Sequence, residues 1–106
     1  MKILAEHGID IFSVNTHTGN NVLHIAVEKN YFNIVKMLIK SKFPLDNPNR
    51  EGVTALGIAS CKDKHFAISR LLIKAGADVN YRTNIGIGPL FLAIKFNNYQ
   101  GIRLLL

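Results

Sequence analysis

Apolar residues fall in paired short stripes separated by turn-rich connections. Val22, Leu23, Ile25 and Ala26 form one stripe, and Ile34, Val35, Met37, Leu38 and Ile39 form its partner. Spacings of three and four residues predict amphipathic helices. The first would stop near Asn30, a residue that tolerates left-handed geometry, and the second would run over roughly residues 32–41. So short a turn makes the two antiparallel. The pair recurs as helices near residues 55–62 and 65–75, the latter carrying Ile68, Leu71, Leu72 and Ile73. A third pair opens at Pro89, a residue suited to a first helical position because its missing N–H would be unpaired there anyway, and continues into Ile102, Leu104, Leu105 and Leu106. Residues 2–7 read as the end of an earlier helix closed by Gly8.

The stripes keep a register. Gly19, Gly52 and Gly86, Leu23, Leu56 and Leu90, and Ala26, Ala59 and Ala93 each step by 33 and then 34 residues. A fixed period of this size marks a stacked repeat, in which each unit buries its apolar face only against its neighbours. Helices of about 8 to 10 residues are marginal alone in water, so stacking must hold them. The expected organisation is one array over residues 1–106: the end of a preceding unit (1–15), two units (16–48 and 49–82) and a partial unit (83–106). One extra residue in Cys61-Lys62-Asp63-Lys64-His65 falls between helices, where it lengthens a loop and spares the core. The uncapped Leu104-Leu105-Leu106 end is expected to continue into a longer protein or to be covered by a partner, since exposing two leucines forgoes on the order of 3 to 6 kcal/mol.

With 48% hydrophobic and 19% charged residues the chain is expected to be ordered. No apolar run approaches the roughly 20 residues of a membrane span, and the start lacks the long apolar centre of a secretory signal. An intracellular, cytoplasmic location is the expectation, supported weakly by the single cysteine, Cys61, which rules out a disulfide framework. The net charge of +6 suits an acidic partner or simple solubility.

The second unit reads Gly52-Val53-Thr54-Ala55-Leu56, Ile58-Ala59, then Ile68 and Leu71-Leu72 before Gly76-Ala77-Asp78-Val79-Asn80. It resembles an ankyrin repeat, and residues 21–26 and 88–93 match the same motif less fully. The resemblance implies an all-α fold: an ankyrin-repeat solenoid of stacked antiparallel helix pairs with β-hairpin or loop fingers. The family's T-P-L-H brace is divided here, with His24 kept in one unit, Thr54 in the next and Pro89 in the third. Lys42 stands where the family has a helix-ending glycine, which implies a strained connection.

The resemblance also implies a non-catalytic scaffold that binds another protein along finger tips and inner helices. Carried over by position, the contact residues are Thr18 and Asn20 in the first finger, Arg50, Glu51 and Val53 in the second, and Asn84, Ile85 and Ile87 in the third, with Glu28, Lys29, Cys61, Lys62, Lys95 and Phe96 at matching helix positions. Ile85, Ile87 and Phe96 are apolar where exposure is expected, so they suit either a hydrophobic anchor for a partner or a contact with a further unit. Alignment of the units also stacks Lys2, Lys36, Arg70 and Arg103 in one column, with Lys40 and Lys74 one turn later. These read as a face for an acidic surface or as an ordinary solvated face.

Other chemistry is sparse. Histidine spacing suggests no metal site, Gly86-Ile87-Gly88 lacks the strand and lysine of a phosphate loop, and Asp63-Lys64-His65 is expected on an exposed turn. No cofactor is expected, and nucleic acid is not the expected partner. Two alternatives remain open: a segment built permanently into a large assembly, and a regulatory module of an enzyme or channel encoded outside this stretch.

Overall fold

A computed structural model of the chain describes residues 13–106. Six α-helices form three antiparallel pairs: α1 (Val22–Glu28) with α2 (Phe32–Lys40), α3 (Ala55–Ala59) with α4 (Phe66–Lys74), and α5 (Pro89–Lys95) with α6 (Tyr99–Leu105). A 3-10 turn, Asp63–His65, leads into α4. Inner helices α1, α3 and α5 pack side by side, as do outer helices α2, α4 and α6, so the pairs stack in one direction. The result is the expected all-helical solenoid.

Local chemistry starts each inner helix. Asn21 and His24 form a reciprocal cap: the Asn21 side chain accepts from the His24 N–H, and His24 Nδ1 accepts from the Asn21 N–H, both at 3.0 Å. Thr54 caps α3 through the Gly57 N–H, and Pro89 occupies the start of α5. After α2, Lys42 adopts φ +62°, and the Lys42 and Phe43 N–H groups bond the carbonyls of Ile39 and Leu38. Gly76 at φ +99° closes α4 in the same way, with bonds to Ile73 and Leu72. A lysine therefore holds a backbone conformation that suits glycine, as its place in the pattern predicted.

Leu23, Val27, Val35, Leu56, Ala59, Ile68 and Leu72 are buried and continuous across the first two pairs, each leucine contributing roughly 1.5 to 3 kcal/mol. Ala93 continues the buried row into the third pair.

Among the described residues the fingers contain no strand; each is a tight turn closed by its own backbone. Asn49 N–H bonds the Val53 carbonyl and Thr83 N–H bonds the Ile87 carbonyl. Fingers join edge to edge through Arg50 N–H to the Thr18 carbonyl and Asn84 N–H to the Glu51 carbonyl. This approach explains the periodic glycine. A Cβ at Gly52, already at φ +80°, would lie 2.7 Å from the Asn84 nitrogen, and one at Gly19 would lie 2.8 Å from the Arg50 nitrogen.

One boundary differs by three residues from the sequence reading. The first helix of the second pair ends at Ala59, three residues before the expected Lys62: the Cys61 N–H bonds the Ile58 carbonyl three residues back, and the extra residue opens a turn. Lys62 is consequently extended, with φ −140° and ψ 134°, and does not occupy the helical position assigned to it. The expectations for residues 2–8, including Lys2 of the basic column, lie outside the described residues.

Candidate functional site

Stacking the second and third pairs brings most of the predicted contact residues into one groove of about 470 Å³. Its floor and rim include Arg50, Glu51, Val53, Cys61, Asn84, Ile85, Ile87, Lys95 and Phe96. Ile85 is 81% exposed at the third finger tip and Phe96 is 52% exposed just after α5. Lys95 Nζ sits 5.7 Å from the Phe96 ring centre, a cation–π contact that holds a positive charge beside the apolar patch. Asn84 fixes the tip by donating from Nδ2 to the Arg50 carbonyl at 2.7 Å.

A second cavity of about 250 Å³ adjoins it. Glu28, Lys62 and His65 join Val53, Cys61, Ile58 and Leu92 there. Thr18, Asn20 and Lys29 line neither space. Thr18 and Asn20 are engaged between fingers: the Thr18 carbonyl receives the Arg50 N–H, and Asn20 Oδ1 accepts from Asn49 Nδ2 at 3.0 Å. Lys29 is exposed at the end of α1.

Sequence reasoning missed Gly57. It stands where the neighbouring units carry His24 and Phe91, and a Cβ there would lie 2.9 Å from Val53 Cγ1 and 3.7 Å from Leu92 Cδ1. Its missing side chain lets Val53 approach the backbone of α3, and Val53 and Leu92 line both spaces. The signal was available as a glycine set between two large residues in register. Leu92 was missed because it belongs to the apolar stripe of α5 and reads as core.

His65 is a correction. Instead of lying on an exposed turn it is 1% exposed, and neither ring nitrogen makes a well-formed hydrogen bond; the Ser69 hydroxyl, also buried, has no partner. The 3-10 turn carries the ring inward. Burial, reinforced by Lys64 and Lys62, holds its pKa below the ordinary value, with Glu28 partly opposing them. His24 is lowered as well: burial dominates over the Val53 carbonyl, to which Nε2 donates at 2.8 Å. That bond ties the first pair to the second finger.

Burial raises the Cys61 pKa, with Lys62 and Lys95 opposing it in part, and its thiol donates to the Gly57 carbonyl. A protonated thiol without a base beside it is a poor nucleophile. Among the described residues no group of three His, Cys, Asp or Glu side chains could hold a metal ion, and no helix is long and apolar enough to cross a membrane. The groove can therefore offer shape, apolar contact and fixed charge. Lys36, Arg70 and Arg103 lie on successive outer helices, with Lys40 and Lys74 a turn further along, all exposed and away from the groove.

Sequence comparison agrees with this architecture. Family profiles described as ankyrin repeats (many copies) match residues 4–59 and 60–106. The chain belongs to the ankyrin-repeat family. Ankyrin repeats are generally protein–protein interaction modules. Similar proteins include the mouse nuclear factor NF-kappa-B p105 subunit, 38% identical over 84 residues, which make up 76% of this chain and 8% of that protein. A putative ankyrin repeat protein of fowlpox virus is 31% identical over 109 residues, 99% of this chain and 32% of the viral protein. An ankyrin repeat and KH domain-containing protein of Caenorhabditis briggsae is 30% identical over 105 residues, 98% of this chain and 4% of that protein. The chain thus spans a third or less of the length of these relatives.

Proposed function

We propose that this ankyrin array is a non-catalytic scaffold that receives a partner protein in the groove between its second and third fingers and inner helices. One observation carries the reading: Ile85, Ile87 and Phe96, apolar and at least partly accessible, converge on a groove edged by Arg50, Glu51 and Lys95. Apolar anchors within a charged rim are the usual anatomy of a protein interface. Burying Ile85 in a complex would contribute about 1.5 to 3 kcal/mol, or roughly tenfold or more in affinity.

The test is quantitative affinity purification with the wild-type chain and an Ile85→Asp, Phe96→Ser variant, followed by a binding measurement on each recovered protein. A direct partner should bind at least about tenfold more weakly to the variant. Recovery of the same proteins with unchanged affinity would overturn the groove as the docking site.

A second reading rests on length. The stretches aligned in the relatives are small parts of longer proteins, which favours this array as the binding or regulatory module of a larger chain, or as a segment held within an assembly. Binding by the same groove serves either setting.

A further inference from the structure

The outer helices repeat a second pattern, on the side away from the groove. Phe32, Phe66 and Tyr99 are the first residues of α2, α4 and α6. Four residues later stand Lys36, Arg70 and Arg103, and four later again Lys40 and Lys74. Positions four apart share one stripe of a helix. Each outer helix thus presents an aromatic ring followed by one or two cations. All five cations are exposed, and these three helices contain no aspartate or glutamate to neutralise them. Between the stripes run two shallow apolar slots. One, of about 260 Å³, lies between Phe32, Phe66 and Leu71 with Arg70 and Lys74 at its edge. The other, of about 220 Å³, is formed by Phe66, Leu104, Gln100 and Arg103.

We propose that this outer face is a second docking surface, and that its occupant is an acidic amphipathic helix of a partner protein lying across α2, α4 and α6. The charge is complementary: carboxylates on the partner meet cation rows that have no anion of their own. The spacing fits as well. Packed helices lie roughly 8 to 10 Å apart, and residues seven apart on a helix are separated by about 10.5 Å. Glutamates at every seventh position would meet Lys36, Arg70 and Arg103 in turn, and an aliphatic residue midway between them would enter each slot. Nucleic acid is a poorer match for the slots themselves: Phe66, which lines both, is half-buried, and the exposed rings of Phe32 and Tyr99 stand on either side of it without forming a continuous stacking platform. A bilayer surface would engage the exposed Phe32, Met37 and Tyr99 rather than the slots around Phe66, so lipid vesicles serve as the competing probe.

The probe is a synthetic helical peptide of about 21 residues, with glutamates seven apart and leucines midway, titrated against the full chain by fluorescence anisotropy. Saturable binding is expected, falling about tenfold or more as salt rises from about 50 to about 300 mM. It should be lost when the glutamates become glutamine or the leucines become serine. Arg70→Glu with Lys74→Glu should weaken it by at least about tenfold, Arg70→Gln with Lys74→Gln by less, and Ile85→Asp in the concave groove not at all. The proposal is overturned by absence of saturable binding, by a serine-substituted peptide that binds as well as the parent, by indifference to the Arg70 and Lys74 substitutions, or by tighter binding of a single-stranded oligonucleotide or of anionic lipid vesicles.

Discussion

Replacing Asn98 isolates what fastens the third helix pair to the second. The side chain is 2% exposed and makes two bonds of 2.9 Å: Oδ1 accepts from the Gly101 N–H, capping α6, and Nδ2 donates to the Ser60 carbonyl on the unit before. Gly101 is small for a reason, since a Cβ there would run into the Asn98 amide. Loss of an N-cap costs about 1 kcal/mol, and a buried carbonyl left unpaired costs about 1 to 3 kcal/mol. Asn98→Ala should therefore destabilise the array by about 2 to 4 kcal/mol. Asn98→Ser can still cap α6 but cannot reach Ser60, so it should forfeit only the second share. Urea denaturation followed by circular dichroism gives the three stabilities from midpoints and slopes. Ser60 adjoins Cys61, and Asn98 lies two residues from Phe96, so groove affinity should fall in the same order. A loss below about 0.5 kcal/mol for alanine, or equal losses for serine and alanine, would refute two separable buried bonds.

Three further outcomes follow from the backbone and the titrating groups. Lys42→Gly, compared with Lys42→Ala so that the lost charge cancels, should be stabilising. Left-handed geometry costs a side-chain-bearing residue about 1 to 2 kcal/mol, offset in part by glycine's greater freedom when unfolded; the net of about 0.5 to 1 kcal/mol should raise Tm by a few degrees in thermal melts. Stability should fall as pH drops below 6.5. His24 and His65 have folded pKa values below that of the unfolded chain, so the unfolded state takes up protons first, with a slope of up to about 1.4 kcal/mol per pH unit for each histidine. Denaturation midpoints at pH 7.5 and 5.5 check this, and His65→Leu should flatten the dependence. Cys61, whose thiol is held protonated by burial, should react with an aromatic disulfide at pH 8 more slowly than free cysteine, as measured by thiolate release.

The stacking was legible because it is written in register. Glycines that let one finger approach the next, leucines that enter the strip of core and alanines between inner helices recur at one period, and the strained turn at Lys42 was visible as a lysine in a glycine's place. What escaped notice depends on partners distant in sequence. Asn98 and Ser60 are 38 residues apart, so nothing local marks Asn98 as a strut. Asn97 at φ +55° takes the role that Asn30 takes at φ +60°, leaving its neighbour free to cap. The early end of α3 at Ala59 shows in the backbone, where the Cys61 N–H turns to the Ile58 carbonyl three residues back instead of continuing the helical ladder. The inward turn of His65 then follows from the connection that this shortening leaves behind.

Apart from Lys42, several of these departures fall near the second and third pairs. The first pair and second finger are joined as the pattern demands, with His24 capping its own helix and reaching the Val53 carbonyl. One unit later the equivalent position is Gly57, which can make no such reach, and the adjoining connection holds an extra residue and the buried, poorly bonded His65. The third finger turns Ile85 outward where the neighbouring fingers present Thr18 and Glu51. Ile85 lines the groove, His65 the adjoining cavity, and Gly57 underlies Val53, which borders both. Sequences tend to break their own local rules where function requires it; here Ile85 makes the groove more apolar, and Gly57 gives up the reach that His24 makes one unit earlier. If the groove had no occupant, a polar residue at Ile85 would gain solubility at little expense, whereas a side chain at Gly57 would have to displace Val53 Cγ1, 2.9 Å from the added Cβ. The exceptions that do meet at the groove are the ones the proposed docking site rests on, and the Ile85→Asp, Phe96→Ser variant tests them.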